Sequence, residues 1–312
     1  MQQIAKIILS ASFGYAVIRV TTPILFASLS SLISNKAGAT NIGIEGMMLS
    51  SALIGVIVSA FTQSAWIGLL AAVITGMLLG LVLAYFSLNL KTDIVLAGIA
   101  LNLLASGGTV FLLYVVAHDK GASSSLSSKV MPLIDIPILS NIPVIGDVIS
   151  GHNVLTYLSI IAVIFIYFLL YKTPIGLRIR AVGENKDAAD SVGINVIKVQ
   201  YIALAISGIM AGLGGAFMSM GYVSWFSTDM IAGRGFIALA ANALGREEPM
   251  GVLITSLLFG FADALSNSIQ TINIPSEFIQ MIPYLTTIIG LFLYSIRMTK
   301  EIKDNKIQKF NN

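Results

Sequence analysis

Asn41, Glu45, Asn102, Arg234, Asn242, Asp263 and Asn267 stand inside stretches of the chain that are otherwise apolar. Polar groups in such surroundings are expensive, which makes them candidates for handling a solute. Four are neutral amides, Asn41, Asn102, Asn242 and Asn267, and these are the candidate lining of a substrate path. An amide offers donors and an acceptor together. Its hydrogen bonds contribute a net of about 0.5–1.5 kcal/mol each, enough to orient a solute and too little to trap it. The competing use of the same side chains is hydrogen bonding between helices. Glu45 and Asn41 fall at the inner end of the second apolar segment, near the cytoplasmic interface and beside Gly43 and Gly46, where an architectural role for Glu45 with a nearby base is expected. No His/Asp/Glu cluster supplies acid–base chemistry. Zero cysteines exclude disulfides, thiolate metal sites and cysteine nucleophiles. His118 and His152 have no clustered carboxylates beside them, and neither is expected to bind a metal.

A second group of polar residues lies together. Between Lys172 and Lys198 the chain carries eight charged residues, bounded on both sides by apolar runs. A short helix is expected from about Asn185 to Val192. Gly183 and Asn185 flank its start, Glu184 suits the positive end of its dipole, and Gly193 offers the left-handed stop. Lys186 and Asp190 are spaced to pair at i,i+4. Ala188, Ala189 and Val192 make a small apolar face, shaped to sit in a shallow groove. The plainer reading is a solvated loop.

The elements that must position these groups are membrane spans. The chain has 312 residues, 56% hydrophobic and 11% charged, against about 25% charged in a soluble domain. Apolar segments run at about 7–34, 41–62, 66–88, 94–117, 154–171, 199–222, 225–244, 250–271 and 277–297. Several reach the roughly 20 residues needed to cross a bilayer. Arg19 and Pro23 interrupt the first, which reads as an interfacial helix followed by a shorter span. The seventh, "WFSTDMIAGRGFIALAANAL", reads as a broken or re-entrant helix. The N-terminus lacks the pattern of a cleaved signal and is taken as part of the mature protein. The expected fold is an all-α polytopic bundle of about 8–10 transmembrane helices forming one domain over residues 1–312. It carries an outer loop at 118–152, a charged loop at 172–198 and a tail at 298–312. "GMLLG" (Gly76, Gly80) and "GIMAG" (Gly208, Gly212) are read as helix-packing motifs. The serine-rich outer loop suits either docking of a binding protein or a linker containing an interfacial helix.

Lysine and arginine counting sets the orientation. With the 172–198 loop in the cytoplasm and every segment crossing, thirteen basic residues lie inside. Lys120, Lys129 and Arg234 lie outside. The net charge of +3 is thereby a matter of membrane orientation and not a nucleic-acid signal.

"GLRIRAVGENKDAADSVGINVIKVQYIALAISGIMAGLGGA" resembles the coupling loop and following span of ABC-importer permeases of the branched-chain amino acid/ribose type. "TPILFASLSSLISNKAGATNIGIEGMML", "TDIVLAGIALNLL" and "GRGFIALAANALGREEPMGVLITSLLFGFADAL" are more specifically similar to permeases that work with nucleoside-binding lipoproteins of the Bmp type. "AGATNIG" departs from that pattern, where a β-branched pair more often precedes the Asn. The resemblance runs from about residue 20 to 295. It implies a multi-pass subunit of the cell membrane importing nucleosides. Its partners would be a separate ABC ATP-binding subunit, a second permease subunit (identical or similar), an extracytoplasmic substrate-binding lipoprotein and membrane lipid. Gly183, Glu184, Asn185, Ala188, Ala189, Val192 and Gly193 would form the helix that docks into the ATPase. The chain has no G-x-x-x-x-G-K-[ST] loop, nor any Gly-Lys dipeptide, so ATP and Mg would be used by the partner and no cofactor by this chain. Alternative cargoes are a sugar or a branched-chain amino acid, the latter disfavoured by the shortage of charges in the spans. An ion-coupled carrier would show acids deep in several spans, whereas only Asp263 is clearly deep.

This reading places the 172–198 loop and the basic tail on the cytoplasmic side. Single cysteines introduced at Asn185 and Asn305 should resist a membrane-impermeant thiol reagent in intact cells. Labelling of only one of them would show that segment seven does not cross.

Overall fold

The computed structural model describes residues 10–136 and 145–269, together with positions 285, 288, 290 and 292. Segment 277–297 as a span, the tail 298–312 and residues 137–144 of the outer loop lie outside the described residues. Among those described, seven helices are long and apolar enough to cross a membrane. They are α1 (Ala11–Lys36), α2 (Ile44–Thr62), α3 (Ala65–Ala84, prolonged by a π-turn at Tyr85–Asn89), α4 (Ile94–Ala117), α6 (Val154–Lys172), α9 (Val196–Phe217, prolonged by a π-turn at Met218–Tyr222) and α11 (Pro249–Ile269). Between them lie the short helices α5 (Ile145–Ile149), α7 (Pro174–Glu184), α8 (Lys186–Ser191) and α10 (Arg234–Leu244). Strands β1 (Leu133–Ile134) and β2 (His152–Asn153) pair antiparallel across the outer loop.

Capping residues written into the sequence start most of these helices. Asp93 accepts from the Val95 and Leu96 N–H groups, Asn153 from Leu155, and Asn195 from Lys198. Each side chain satisfies donors that an initiating helix leaves without partners. α1 continues through Arg19 and Pro23 as one helix of 26 residues, so the expected interfacial break is absent. Arg19 is held instead by the Tyr222 carbonyl and by the Tyr222 ring.

α1 and α9 are the most enclosed spans, and α9 packs along α3, α1 and α2. The two small-residue motifs meet one another. A Cβ at Gly76 would strike the Gly208 carbonyl, one at Gly80 the Leu204 carbonyl, and one at Gly212 the backbone of Ala72 and Val73. Ser28, Ser30, Ser31 and Ser34 of α1 are fully buried along a polar seam. Ser30 bonds Ser207 at 2.8 Å. Ser31 receives the Asn242 amide at 3.0 Å.

Two departures from a simple up-and-down bundle position the functional groups. After α1 the chain turns at Gly38 (φ +65°) and re-enters the bundle. Asn41 donates to Ser207 at 2.9 Å, and Ser207 lies eleven residues into α9, about 16 Å at 1.5 Å per residue. α2 therefore begins deep inside, so Asn41 and Glu45 do not sit at the inner end as their place in the sequence suggested. The second departure is segment seven. Phe226 pairs with Ser123 of the outer loop through Phe226 N–H to Ser123 Oγ at 2.8 Å and Ser123 N–H to the Phe226 carbonyl at 2.8 Å. Irregular chain then leads to α10, whose eleven residues cover about 16 Å, half of a hydrocarbon core about 30 Å thick. Past its end, Glu247 reaches Lys36 at 3.7 Å. The segment crosses as half loop and half helix.

The described residues of the outer loop form a folded cap. Met131 N–H bonds the Met220 carbonyl at 2.9 Å, and His152 stacks on Tyr15 with ring centroids 3.9 Å apart. Burial holds the His152 pKa below the ordinary imidazole value. Its Nε2 is engaged with the Val148 carbonyl at 2.8 Å.

The glycine contacts allow a direct comparison. Gly208→Leu should prevent stable accumulation, because overpacking costs about 1–3 kcal/mol even where neighbours can yield, and here the neighbour is backbone. Gly107→Leu, where a Cβ meets nothing within 4 Å, should leave the detergent melting temperature unchanged. Equal effects of the two changes would refute the α3–α9 contact.

Candidate functional site: the half-helix and the charged elbow

α10 starts where three spans converge. Gly233 N–H donates to Glu45 Oε1 at 2.8 Å and Gly235 N–H to Glu45 Oε2 at 2.7 Å. The first turn of a helix carries unsatisfied N–H groups and partial positive charge. An acidic side chain from another span supplies what the local sequence does not. This contact explains "GRG". Gly233 takes a left-handed φ of +79°, which favours glycine. A Cβ on Gly235 would lie 2.7 Å from the Glu45 backbone nitrogen. Asn102 of α4 holds the other side of the junction, accepting from Gly46 N–H at 2.8 Å and donating to the Ile42 carbonyl at 2.9 Å.

Arg234 leaves the junction toward α11. It pairs with Asp263 at 3.0 Å, both side chains less than 15% exposed. It also donates to the Ile231 carbonyl at 3.2 Å, and its buried Nε has no partner. Arg234 is thus buried in the bundle beside Asp263, and not on the outer side with Lys120 and Lys129, where it was counted. Asn267 donates to Asp263 at 3.4 Å and is exposed.

The four candidate amides therefore differ. Asn41 and Asn242 are fully buried, and in each the amide nitrogen bonds a serine while Oδ1 has no partner. Asn102 spends both ends of its amide on backbone. Asn267 alone presents an exposed amide. The structure does not bring the four to one surface. Among the described residues no group of three or more His, Cys, Asp or Glu could hold a metal.

At the Lys36 end lies the charged loop, folded as two helices in an elbow. Thr173 caps α7 by accepting from Gly176 N–H at 3.1 Å, with Pro174 at its first position. Gly176, Ile179 and Val182 bury its inner face. Arg180 donates to the Leu170 carbonyl at 3.0 Å and lies over the Tyr171 ring. Asn185 forms the corner. Its N–H closes α7 on the Ala181 carbonyl and its side chain opens α8 by accepting from Ala188 N–H at 2.9 Å. Gly193, at φ +84°, ends the elbow.

Three details differ from expectation. α8 is shorter, spanning Lys186–Ser191, and a separate helix precedes it. Ala189 is 4% exposed and packs into its own chain, so the outward apolar groups are Ala188 and Val192. Lys186 and Asp190 form no ion pair, and the Lys186 stem lies against Gly38 instead. Gly183 lies so near α1 that a Cβ would meet the Lys36 carbonyl. Lys36 in turn holds Glu247, which also receives the Asn35 amide at 3.2 Å. The elbow, the end of α1 and the end of the half-helix form one contact. Glu247 escaped the sequence reading, and the architectural role expected of Glu45 is met by two backbone N–H groups and not by a base. The only signal for Glu247 is an acid just beyond the α10 glycine stop.

Asn102→Leu should lower the melting temperature and the yield of folded protein, because it strands the Gly46 N–H and the Ile42 carbonyl at about 1–3 kcal/mol each. Asn267→Leu should leave both unchanged. A stable Asn102→Leu protein that fails only in transport would restore Asn102 to the substrate path.

The comparisons agree with this architecture. The family model described as branched-chain amino acid transport system / permease component matches residues 15–291. The chain is 37% identical over 300 residues to the guanosine ABC transporter permease protein NupQ of Bacillus subtilis (strain 168), covering 93% of this chain and 92% of that one. It is 37% identical over 285 residues to the nucleoside ABC transporter permease protein NupC of Lactococcus lactis subsp. cremoris, covering 88% and 89%. The glucose ABC transporter permease protein TsgB13 of Haloferax volcanii is 25% identical over 309 residues, covering 95% and 80%. Among solved structures, a chain of PsaBC from Streptococcus pneumoniae in complex with Fab has the same fold, with a TM-score of 0.55 at 13% identity, covering 93% and 94%. A bundle of spans with one crossing made half of loop, a folded charged elbow and a family match over most of its length lead to one conclusion: the chain belongs to the branched-chain amino acid transport system / permease component family, as a permease subunit of an ABC importer.

Proposed function

We propose that this permease imports nucleosides, driven by a separate ATP-binding subunit that docks on the α7–α8 elbow. The similarity to NupQ and NupC over nearly the whole chain is the observation that carries this reading. The disposition of charge supports it. Asp263 is paired with Arg234 and Glu45 is engaged by two backbone N–H groups, so neither acid is free to bind a coupling ion. The neutral hydroxyl and base-edge groups of a nucleoside suit an amide partner, and of the four candidates Asn267 presents an exposed one. The elbow faces the cytoplasm, as the basic residues of the 172–198 loop favour. The outer-loop cap meets a substrate-binding lipoprotein, and a second permease chain completes the pathway. ATP and Mg act on the partner ATPase alone.

Proteoliposomes holding the permease, its partner subunits and the binding protein should accumulate labelled guanosine only with ATP inside the compartment that the ATPase faces. Unlabelled nucleosides should compete, and glucose and leucine should not. Competition by glucose would favour the sugar reading that similarity to TsgB13 leaves open. Uptake on an ion gradient without ATP would contradict the mechanism. For the elbow, Ala188→Arg should leave the permease folded while reducing ATP-driven uptake at least about tenfold, the equivalent of about 1.4 kcal/mol of lost coupling. Ala189→Arg should instead reduce folded protein, because that side chain points inward.

A further inference from the structure

We propose that the elbow carries a binding site for one anionic phospholipid, with Arg178 and Lys198 on its headgroup phosphate. A groove of about 380 Å³ opens between α7 and the start of α9, lined by Ile175, Arg178, Val192, Lys198, Val199 and Ile202 among others. Its two cations are not spent elsewhere. Among the described residues, the ion pairs are Lys36–Glu247 and Arg234–Asp263. Glu184, Asp187 and Asp190, the acids of the same loop, pair with neither Arg178 nor Lys198. Arg180, two residues away, shows the contrast, since the Leu170 carbonyl and the Tyr171 ring already engage it.

Beside the cations and Asn195, the groove is walled by apolar side chains and lies at the right level. α6 ends at Lys172 and α9 begins at Val196, so the groove sits where two spans leave the hydrocarbon. α7 buries one apolar face in the protein yet also turns Ile175 (44% exposed) and Leu177 (60% exposed) outward, beside Arg178. Apolar groups and cations on the outer face of a short helix at a span's end match a membrane interface. Val199 and Ile202 continue the apolar wall along α9 into the bilayer. A headgroup anion between the two cations, with its acyl chain against this wall, satisfies both halves of the groove. Free phosphate would use only the first half. The site also touches Val192 and Gly193, so an occupied groove braces the turn that ends the elbow. The proposal rests on the permease fold and is independent of the cargo.

Native mass spectrometry of the intact permease complex, released from mixed phosphatidylcholine and phosphatidylglycerol, tests it. Each wild-type permease chain should retain one phosphatidylglycerol. The double change Arg178→Gln, Lys198→Gln should weaken retention by about tenfold or more, as expected for two cations near an anionic lipid. Both side chains are exposed, so the variant should fold, and Arg178→Lys with Lys198→Arg should restore retention. Undiminished retention by the double Gln variant overturns the proposal. So does displacement of the lipid by millimolar inorganic phosphate, which identifies a site for a soluble anion. Loss of the ATP-binding subunit with lipid retention unchanged overturns it as well, by marking the groove as protein interface.

Discussion

The junction at Glu45 is the constraint on which the rest of the fold depends. A helix that begins in the middle of a membrane protein has N–H groups with no water to meet them. α10 begins there, and two of those groups, on Gly233 and Gly235, are met by the oxygens of one side chain on α2. The arrangement requires α2 itself to start at the same depth. That in turn requires the chain after α1 to turn back into the bundle, where Asn102 clamps it through Ile42 and Gly46. Irregular backbone at membrane depth is tolerated only when protein or an aqueous cavity satisfies it. Here protein does so, through one acid and one amide.

The far end of the half-helix is tied differently. Glu247 reaches Lys36 and Asn35 at the end of α1, and the Lys36 carbonyl lies against Gly183 of the elbow. Any displacement of the elbow therefore bears on α1 and on α10 together. The buried serines of α1 and the glycine contacts between α3 and α9 make the surrounding frame close-packed, and such a core does not deform gradually. The half-helix packs Ile237 and Ala241 against Ile24 of α1 and Phe259 of α11, and polar contacts at its two ends and Asn242 on Ser31 fix its register on that frame.

The spans and the packing role of the small-residue motifs were legible in the sequence because each follows from local composition or spacing. Asn185 announced a helix start by residue type, and Gly193 announced a stop. The broken character of segment seven was legible too, from its glycines and charges. What local pattern cannot carry is a contact between distant segments. Glu45 looked like an interfacial acid because the return of residues 39–43 into the bundle leaves no periodic trace. Ala188 and Ala189 looked equivalent, and only the closure of α8 onto its own chain, through Ile194 N–H on the Ala189 carbonyl, separates them. The amides were read as free for a solute because sequence shows that a carboxamide is present and not what already occupies it.

Hydrogen exchange at the Gly233 and Gly235 amides tests the central junction most directly. In the wild-type permease both should exchange as slowly as amides in the interior of α9. In Glu45→Ala they should exchange rapidly, and the protection loss should spread along 233–245, since about 1–3 kcal/mol is forfeited for each buried donor left unpaired. Slow exchange at both glycines in Glu45→Ala would contradict the account, because α10 would then hold its start without the acid that joins it to α2.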